Sequence, residues 1–316
     1  MWQNGVSVTD CFGLRPWRQR LAEMLLTFRG DATTPKSRWD YTSLGLLRPR
    51  LALPLWLGQR PAGRLTPVYN LYNHTQPDPE LGWSVMRRAV RDFRGGSLSY
   101  ESHNGTDFAV PPGTVVVSAA PGTVLRVSNE FNRGGLKVFV DHGSGLFTSY
   151  NHLSRADVKV GERLSRGQAL GLSGASGLDG FLLFPWSTPH VHFNVWLGGE
   201  YVDPYAAEGE TTLWRGEGNA PVPHTAAPEN GGLPPTAWDH DAVAALVAAC
   251  RHPGARDDIL SAKDPSQRAM NAHFHRVYFP SRFSTRPTLV REAHPRRPWL
   301  DLPLSAEDYD GALLPP

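Results

Sequence analysis

The sequence predicts a mainly β, antiparallel fold with loop-rich, partly helical extensions at both ends. From Leu98 onward short β-branched runs recur at close spacing, glycine-containing turns separate them, and no helical stretch intervenes. Strands so arranged pair antiparallel, because parallel pairing needs long crossovers. Thr114-Val-Val-Val-Ser and Thr123-Val-Leu-Arg-Val flank the turn Ala-Ala-Pro121-Gly122. Lys137-Val-Phe-Val-Asp and Leu146-Phe-Thr-Ser-Tyr flank His142-Gly-Ser-Gly145 and read as a hairpin, with His142 a turn residue. A further short strand is expected in Arg163 to Leu172, and another from His190 to Trp196.

Texture divides the chain into an N-terminal extension (1–94), a β unit (95–206) and a proline-rich, partly helical C-terminal extension (207–316). Trp17 to Phe28 has helical apolar spacing, and Trp83 to Phe93 reads as a second helix. Between them the prolines of 48–67 predict extended loop. Residues 208–235, rich in Gly, Pro, Ala and Glu, read as a linker or long loop. Asp241 to Cys250 predicts a helix with Asp239 or Asp241 near its start, and the proline-rich tail from Pro280 is expected to wrap over the rest.

The 316 residues include 40% hydrophobic residues, enough for a core, and 31 glycines with 28 prolines, which point to many loops. A formal charge of +2 gives no electrostatic reason to expect nucleic acid. Cys11 and Cys250 have no metal-ligand spacing and are expected to be buried free thiols. No basic segment followed by an apolar stretch opens the sequence, and Leu51 to Leu57 is too short to span a bilayer. Compartment and oligomeric state stay open.

Chemistry concentrates in three short segments: His103-Asn-Gly-Thr-Asp107, His152 in Tyr-Asn-His-Leu, and His190-Val-His192. On a strand, residues i and i+2 share a face, so His190, His192, Asn194 and Trp196 face one way while Val191, Phe193 and Val195 enter the core. On a helix the same spacing would turn two imidazoles apart. Gly105 is expected to permit a tight bend between His103 and Asp107. Imidazoles and a carboxylate, with room for water, are what a catalytic zinc ion needs, so the five residues propose a metallohydrolase. His273-Phe-His275 repeats the spacing without a His-x-x-x-Asp partner and is not taken as a metal site.

Residues 98 to 206 resemble the lysostaphin/LytM-type zinc metalloendopeptidases, which cut peptide cross-links in bacterial cell walls. The matching pieces, in order, are His103-Asn-Gly-Thr-Asp107-Phe-Ala-Val-Pro-Pro-Gly-Thr, Ala-Ala-Pro-Gly-Thr-Val, Val-Asp-His-Gly-Ser-Gly-Leu-Phe-Thr-Ser-Tyr-Asn-His152-Leu, Gly-Glu-Arg-Leu-Ser-Arg-Gly-Gln-Ala-Leu-Gly, Pro-His190-Val-His192-Phe and Tyr-Val-Asp-Pro. The resemblance implies a duplicated-hybrid-motif (barrel-sandwich hybrid) catalytic domain over 95–206, one Zn2+ per chain held by His103, Asp107 and His192, and His152 and His190 as catalytic histidines. Which of these two is the general base stays open. The implied substrate is a peptidoglycan peptide or another small-residue peptide. Tyr100, Asn194, Phe184 and Trp186 are candidate substrate contacts.

Three departures stand out. Asn194 occupies a position where the family usually has an acidic residue, the Gly177–His190 connection is longer and apolar and is a candidate cleft wall or lid, and no secretion signal is visible. Two rival readings use the same fold: a catalytically inactive regulator of other wall hydrolases, against which the intact ligand set argues, and a sugar-permease IIA-like phosphocarrier, which needs neither His103 nor Asp107.

Overall fold

The structure is a computed structural model that describes residues 2–227 and 229–315. Among these residues the strands are β1 (Leu65–Asn70), β2 (Thr106–Ala109), β3 (Val115–Val117), β4 (Gly122–Glu130), β5 (Gly135–Gly143) and β6 (Leu146–Ala156). They continue as β7 (Arg163–Leu164), β8 (Ala169–Ser173), β9 (His190–Leu197), β10 (Glu200–Tyr201) and β11 (Gly311–Leu313). Short helices flank them: α1 (Val8–Cys11), α2 (Trp17–Arg29), α3 (Pro49–Trp56), α4 (Leu178–Leu182), α5 (His240–Ala248), α6 (Pro253–Ser261) and α7 (Pro265–Tyr278).

The strands run in the order β11-β1-β2-β9-β6-β5-β4-β7, with β10 beside β9 and β8 joining β3 to β6. Every pairing is antiparallel except β1 with β11. The expected β5–β6 hairpin forms. The Pro121-Gly122 turn instead separates strands with different partners: β3 pairs β8, while β4 pairs β5 and β7. Arg163 to Leu172 is two strands, broken by a turn in which Gln168 N–H bonds the Ser165 carbonyl.

Alternation along β9 sorts its side chains. Val191, Phe193 and Val195 join Phe108, Val140, Tyr150 and Trp214 in one buried core. Trp196, on the other face, lies in a second core under α5 and α7 with Phe139, Phe147, Met270 and Phe274. The C-terminal helices thus cover the sheet face that also carries His190 and His192. Asp239 caps α5 by accepting from the backbone N–H groups of Asp241 and Ala242, as its position predicts.

Several local expectations fail for identifiable reasons. Residues 48–67 are not extended loop throughout: Pro49 sits in the first turn of α3, where its missing N–H costs nothing, and Leu55 and Trp56 bury one side. Among the described residues no helix forms over 83–93. Its polar groups bond to separate partners instead: Arg87 to the carbonyls of Ser97 and Ser99, and the Arg91 N–H to Asn73. The 208–235 stretch is more than a linker, because Leu213 and Trp214 plug the main core. The tail does wrap, through bridges of Val290 to Trp238, Leu300 to Trp214 and Leu304 to Val116. Cys11 and Cys250 are buried and free. His142 lies on β5 rather than in the turn, bonded to the Pro121 carbonyl and Thr148.

His273 and His275 stand on α7 and diverge. His275 meets Asp258 at 2.9 Å, while His273 packs between Phe147 and Trp196 with neither ring nitrogen partnered. Burial pushes the His273 imidazole down to about 3. The unfolded chain takes up this proton below about 6.5 and the folded chain does not, so stability is full above that pH and declines by about 1.4 kcal/mol per unit below it. His273→Phe should remove this slope: in urea denaturation between pH 6 and 4, the variant is expected to gain about 1.4 kcal/mol per pH unit on the parent. Parallel pH profiles would contradict the assignment.

Candidate metal centre

One cross-strand row builds the centre. Asn70 on β1 stands opposite Asp107 on β2, Asp107 opposite His192 on β9, and His192 opposite Asn151 on β6. His190, two residues earlier on β9, pairs with Ala109. His103 enters from the loop before β2.

Asp107 is the hub. Its Oδ1 lies 2.7 Å from His192 Nδ1, 3.1 Å from His103 Nε2 and 3.5 Å from His190 Nε2, while Oδ2 accepts from Asn70 Nδ2 at 2.7 Å. His103 Nε2 and His192 Nδ1 are 3.2 Å apart. All three residues are buried, and their ligand atoms lie within 4.8 Å of one another. Burial alone would raise the Asp107 carboxyl, but His103, His190 and His192 outweigh it and hold it well below the usual carboxylate range. Burial lowers the His192 imidazole against the pull of Asp107.

Backbone carbonyls fix three imidazoles in the same tautomer. Nδ1 of His103 donates to the Leu71 carbonyl at 2.6 Å, that of His152 to Ser176 at 2.8 Å and that of His190 to Thr188 at 2.7 Å. A carbonyl only accepts, so each ring carries a proton on Nδ1, and Nε2 is the nitrogen left to face a metal ion or exchange a proton. The His152 and His190 rings are 4.7 Å apart. His152 adopts a left-handed backbone, φ 61°, uncommon for a non-glycine residue and placed at this centre. Burial, then the neighbouring His190 and His192, push its imidazole well below the usual value.

The chain bends at Gly105, as expected, and the missing side chain also permits close approach. A Cβ there would meet the Phe193 carbonyl at 2.5 Å and His192 Nε2 at 2.8 Å.

The expected substrate contacts separate. Tyr100 is buried with its ring 4.6 Å from His103 and lines the cleft. Asn194 has no exposed surface and lies beneath the cleft instead. Its Oδ1 accepts from Ser149, Asn151 and Tyr278, and its Nδ2 lies 2.8 Å from His192 Nε2. In this arrangement the His192 proton sits on Nδ1, held by Asp107, and a metal at Nδ1 must displace it. Phe184 turns from the cleft onto Phe12 and Trp56. Trp186 is half exposed and is not among the cleft-lining residues. It is Leu182 and Leu183 of the same segment that face the cavity.

That cavity measures about 490 Å³. His152, His192 and Asn151 form part of its lining, and Trp39, Tyr41, Leu44, Leu47 and Trp83 of the N-terminal extension form another part. Trp56 holds the 178–187 segment by donating Nε1–H to the Ser187 carbonyl at 2.8 Å. Asn70 and Leu71 lie outside the motif segments, and Arg133 is a single polar residue in a turn, so none of the three carries a signal of its own in the sequence.

Residues 101–204 match the profile of peptidase family M23. This stretch is an M23 domain. It is similar to the peptidoglycan DD-endopeptidase ShyA of Vibrio cholerae, 39% identical over 105 residues, covering 33% of this chain and 23% of that protein. It is also similar to the glycyl-glycine endopeptidase ALE-1 of Staphylococcus capitis, 32% identical over 93 residues, covering 29% of this chain and 24% of that protein. Among solved structures, the catalytic domain of lysostaphin from Staphylococcus simulans is 28% identical, covering 33% of this chain and 77% of that one, with a TM-score of 0.29. The chain therefore spans about a quarter of the length of these curated relatives. The M23 domain holds all five motif residues and leaves both flanks unmatched. No helix among the described residues is long and apolar enough to cross a membrane.

Asn70→Ala should free one oxygen of Asp107 and cost about 10–100-fold in metal affinity, as loss of such supporting hydrogen bonds does. Competition with a chelator measures it. Unchanged affinity would show that Asn70 does not orient the carboxylate.

Proposed function

We propose that the chain is a zinc-dependent metalloendopeptidase acting on peptidoglycan peptides, with residues 95–206 as its catalytic unit. The supporting observation is the convergence of His103 Nε2, Asp107 Oδ1 and His192 Nδ1, at 2.7, 3.1 and 3.2 Å from one another, with two further imidazoles alongside. Tetrahedral zinc with bonds of roughly 2.0–2.1 Å needs ligands about 3.3 Å apart, so the donors have only to spread by tenths of an ångström. Two nitrogens and one carboxylate oxygen, each backed by a hydrogen bond, suit that ion and leave a position for water. When bound, zinc supplies Lewis acidity that lowers the pKa of water towards neutrality and polarises the scissile carbonyl.

The protein supplies the proton path. His152 and His190 each present Nε2 as an acceptor, and whichever takes the proton of the attacking water becomes the donor to the leaving amine. The other ring, and Tyr100 against His103, line the space where the tetrahedral carbon forms. Carbonyls at Ser176 and Thr188 keep both rings oriented throughout.

His103→Ala and Asp107→Ala should abolish both metal retention and hydrolysis. His152→Ala and His190→Ala should keep the metal yet lose about 10²–10⁴-fold in kcat. Purified peptidoglycan digested with the zinc-loaded chain and resolved by mass spectrometry reads the activity. Full hydrolysis by metal-free protein, or by the His152 and His190 variants, would overturn the proposal.

A further inference from the structure

Arg133, in the β4–β5 turn, is a buried cation with no carboxylate at ion-pair distance; Asp179, which lines the same cavity, acts on it only from longer range. It is 7% exposed, and its hydrogen bond is from Nη1 to the adjacent Asn132 carbonyl at 2.8 Å. Its Nε has no partner, and among the described residues no carboxylate forms an ion pair with it. Trp83 and Phe279 hold its guanidinium, at 5.5 and 5.4 Å from their ring centres. A second buried guanidinium, Arg282, lies 3.8 Å from the Phe279 ring.

The position is as informative as the isolation. Arg133 lines both the cavity above His152 and His192 and a neighbouring one of about 410 Å³, and shares that boundary with Trp83, Asn104 and Tyr278. The other arginines of the second cavity are already engaged, Arg276 with Glu200 and Arg286 with Glu80. Burying a charge is unfavourable unless something pairs with it. Two aromatic rings at cation–π distance and one backbone carbonyl leave most of the five guanidinium N–H donors without a partner, and a guanidinium suits a carboxylate through paired hydrogen bonds.

We infer that Arg133 is the specificity residue of the cleft, binding a free carboxylate of the substrate peptide where the two cavities meet. The inference rests on the peptidase reading above and narrows it. The substrate is a cross-linked peptide bearing a free carboxylate near the scissile bond, rather than a neutral glycine bridge.

Calorimetric titration of the zinc-loaded full chain tests this. The probes are a cross-linked muropeptide with free carboxyls, the same compound amidated at its C-terminus, and the same compound amidated at its side-chain carboxyl. The parent should bind the free acid about 10–100-fold more tightly than one amidated form, and which form loses affinity identifies the carboxylate. Arg133→Gln should reduce that ratio to about two-fold, while Arg133→Lys keeps part of it without the planar fork. Equal binding of all three probes by the parent, or full discrimination by a folded Arg133→Gln chain, would overturn the inference. Hydrolysis followed in the same samples separates the two ideas. Carboxylate-selective binding without cleavage upholds the role of Arg133 and sinks the peptidase reading; cleavage without carboxylate selectivity does the reverse.

Discussion

The antiparallel register of β2 against β9 is the constraint on which the centre depends. It sets Asp107 opposite His192, and the adjoining pairs extend the row to Asn70 on one side and Asn151 on the other. A slip of one residue would send His192 into the main core and turn Phe193 towards His103 and Asp107. The core enforces the register, because Val191, Phe193 and Val195 fit only on the inner face. Packing and chemistry are therefore selected by the same alternation.

Around this row the flanking segments do structural work that the M23 domain alone does not. β1 contributes Asn70, whose amide leaves Asp107 with Oδ1 facing the histidines. The N-terminal extension walls the cavity above the site, and Arg20 and Glu23 of α2 tie it to the β4–β5 hairpin through the Asn129 carbonyl and the Phe131 N–H. On the other side Tyr278 of α7 reaches Asn194, beneath His192. The result is a partly roofed cleft in which a charge with no ion pair at contact distance, such as Arg133, is strongly felt.

Much of the site was legible because its signals are local. His190-Val-His192 on an alternating strand specifies both a fold element and two ring directions, and the hairpin around Gly143 to Gly145 follows from turn chemistry. The supporting residues were not legible. Asn70 and Leu71 act through pairing across 37 and 32 residues, and nothing in Val-Tyr-Asn-Leu announces that contact. The bend at Gly105 follows from the residue type, but the approach of the Phe193 carbonyl and the His192 ring to it does not show in the sequence. Asn194 and Phe184 were assigned by position near the motif, whereas three-dimensional packing turns one beneath the cleft and the other onto Phe12. In place of the helix expected at 83–93, Arg87 and the Arg91 N–H bond to Ser97, Ser99 and Asn73, partners that apolar spacing does not reveal.

The central claim is that a single divalent ion binds where His103, Asp107 and His192 meet. Anomalous X-ray scattering from crystals of the zinc-loaded chain, collected on both sides of the zinc edge, tests it most directly. One strong peak equidistant from His103 Nε2, Asp107 Oδ1 and His192 Nδ1 is the expected result. An anomalous map with no peak there, or with its peak among other side chains, would contradict the account.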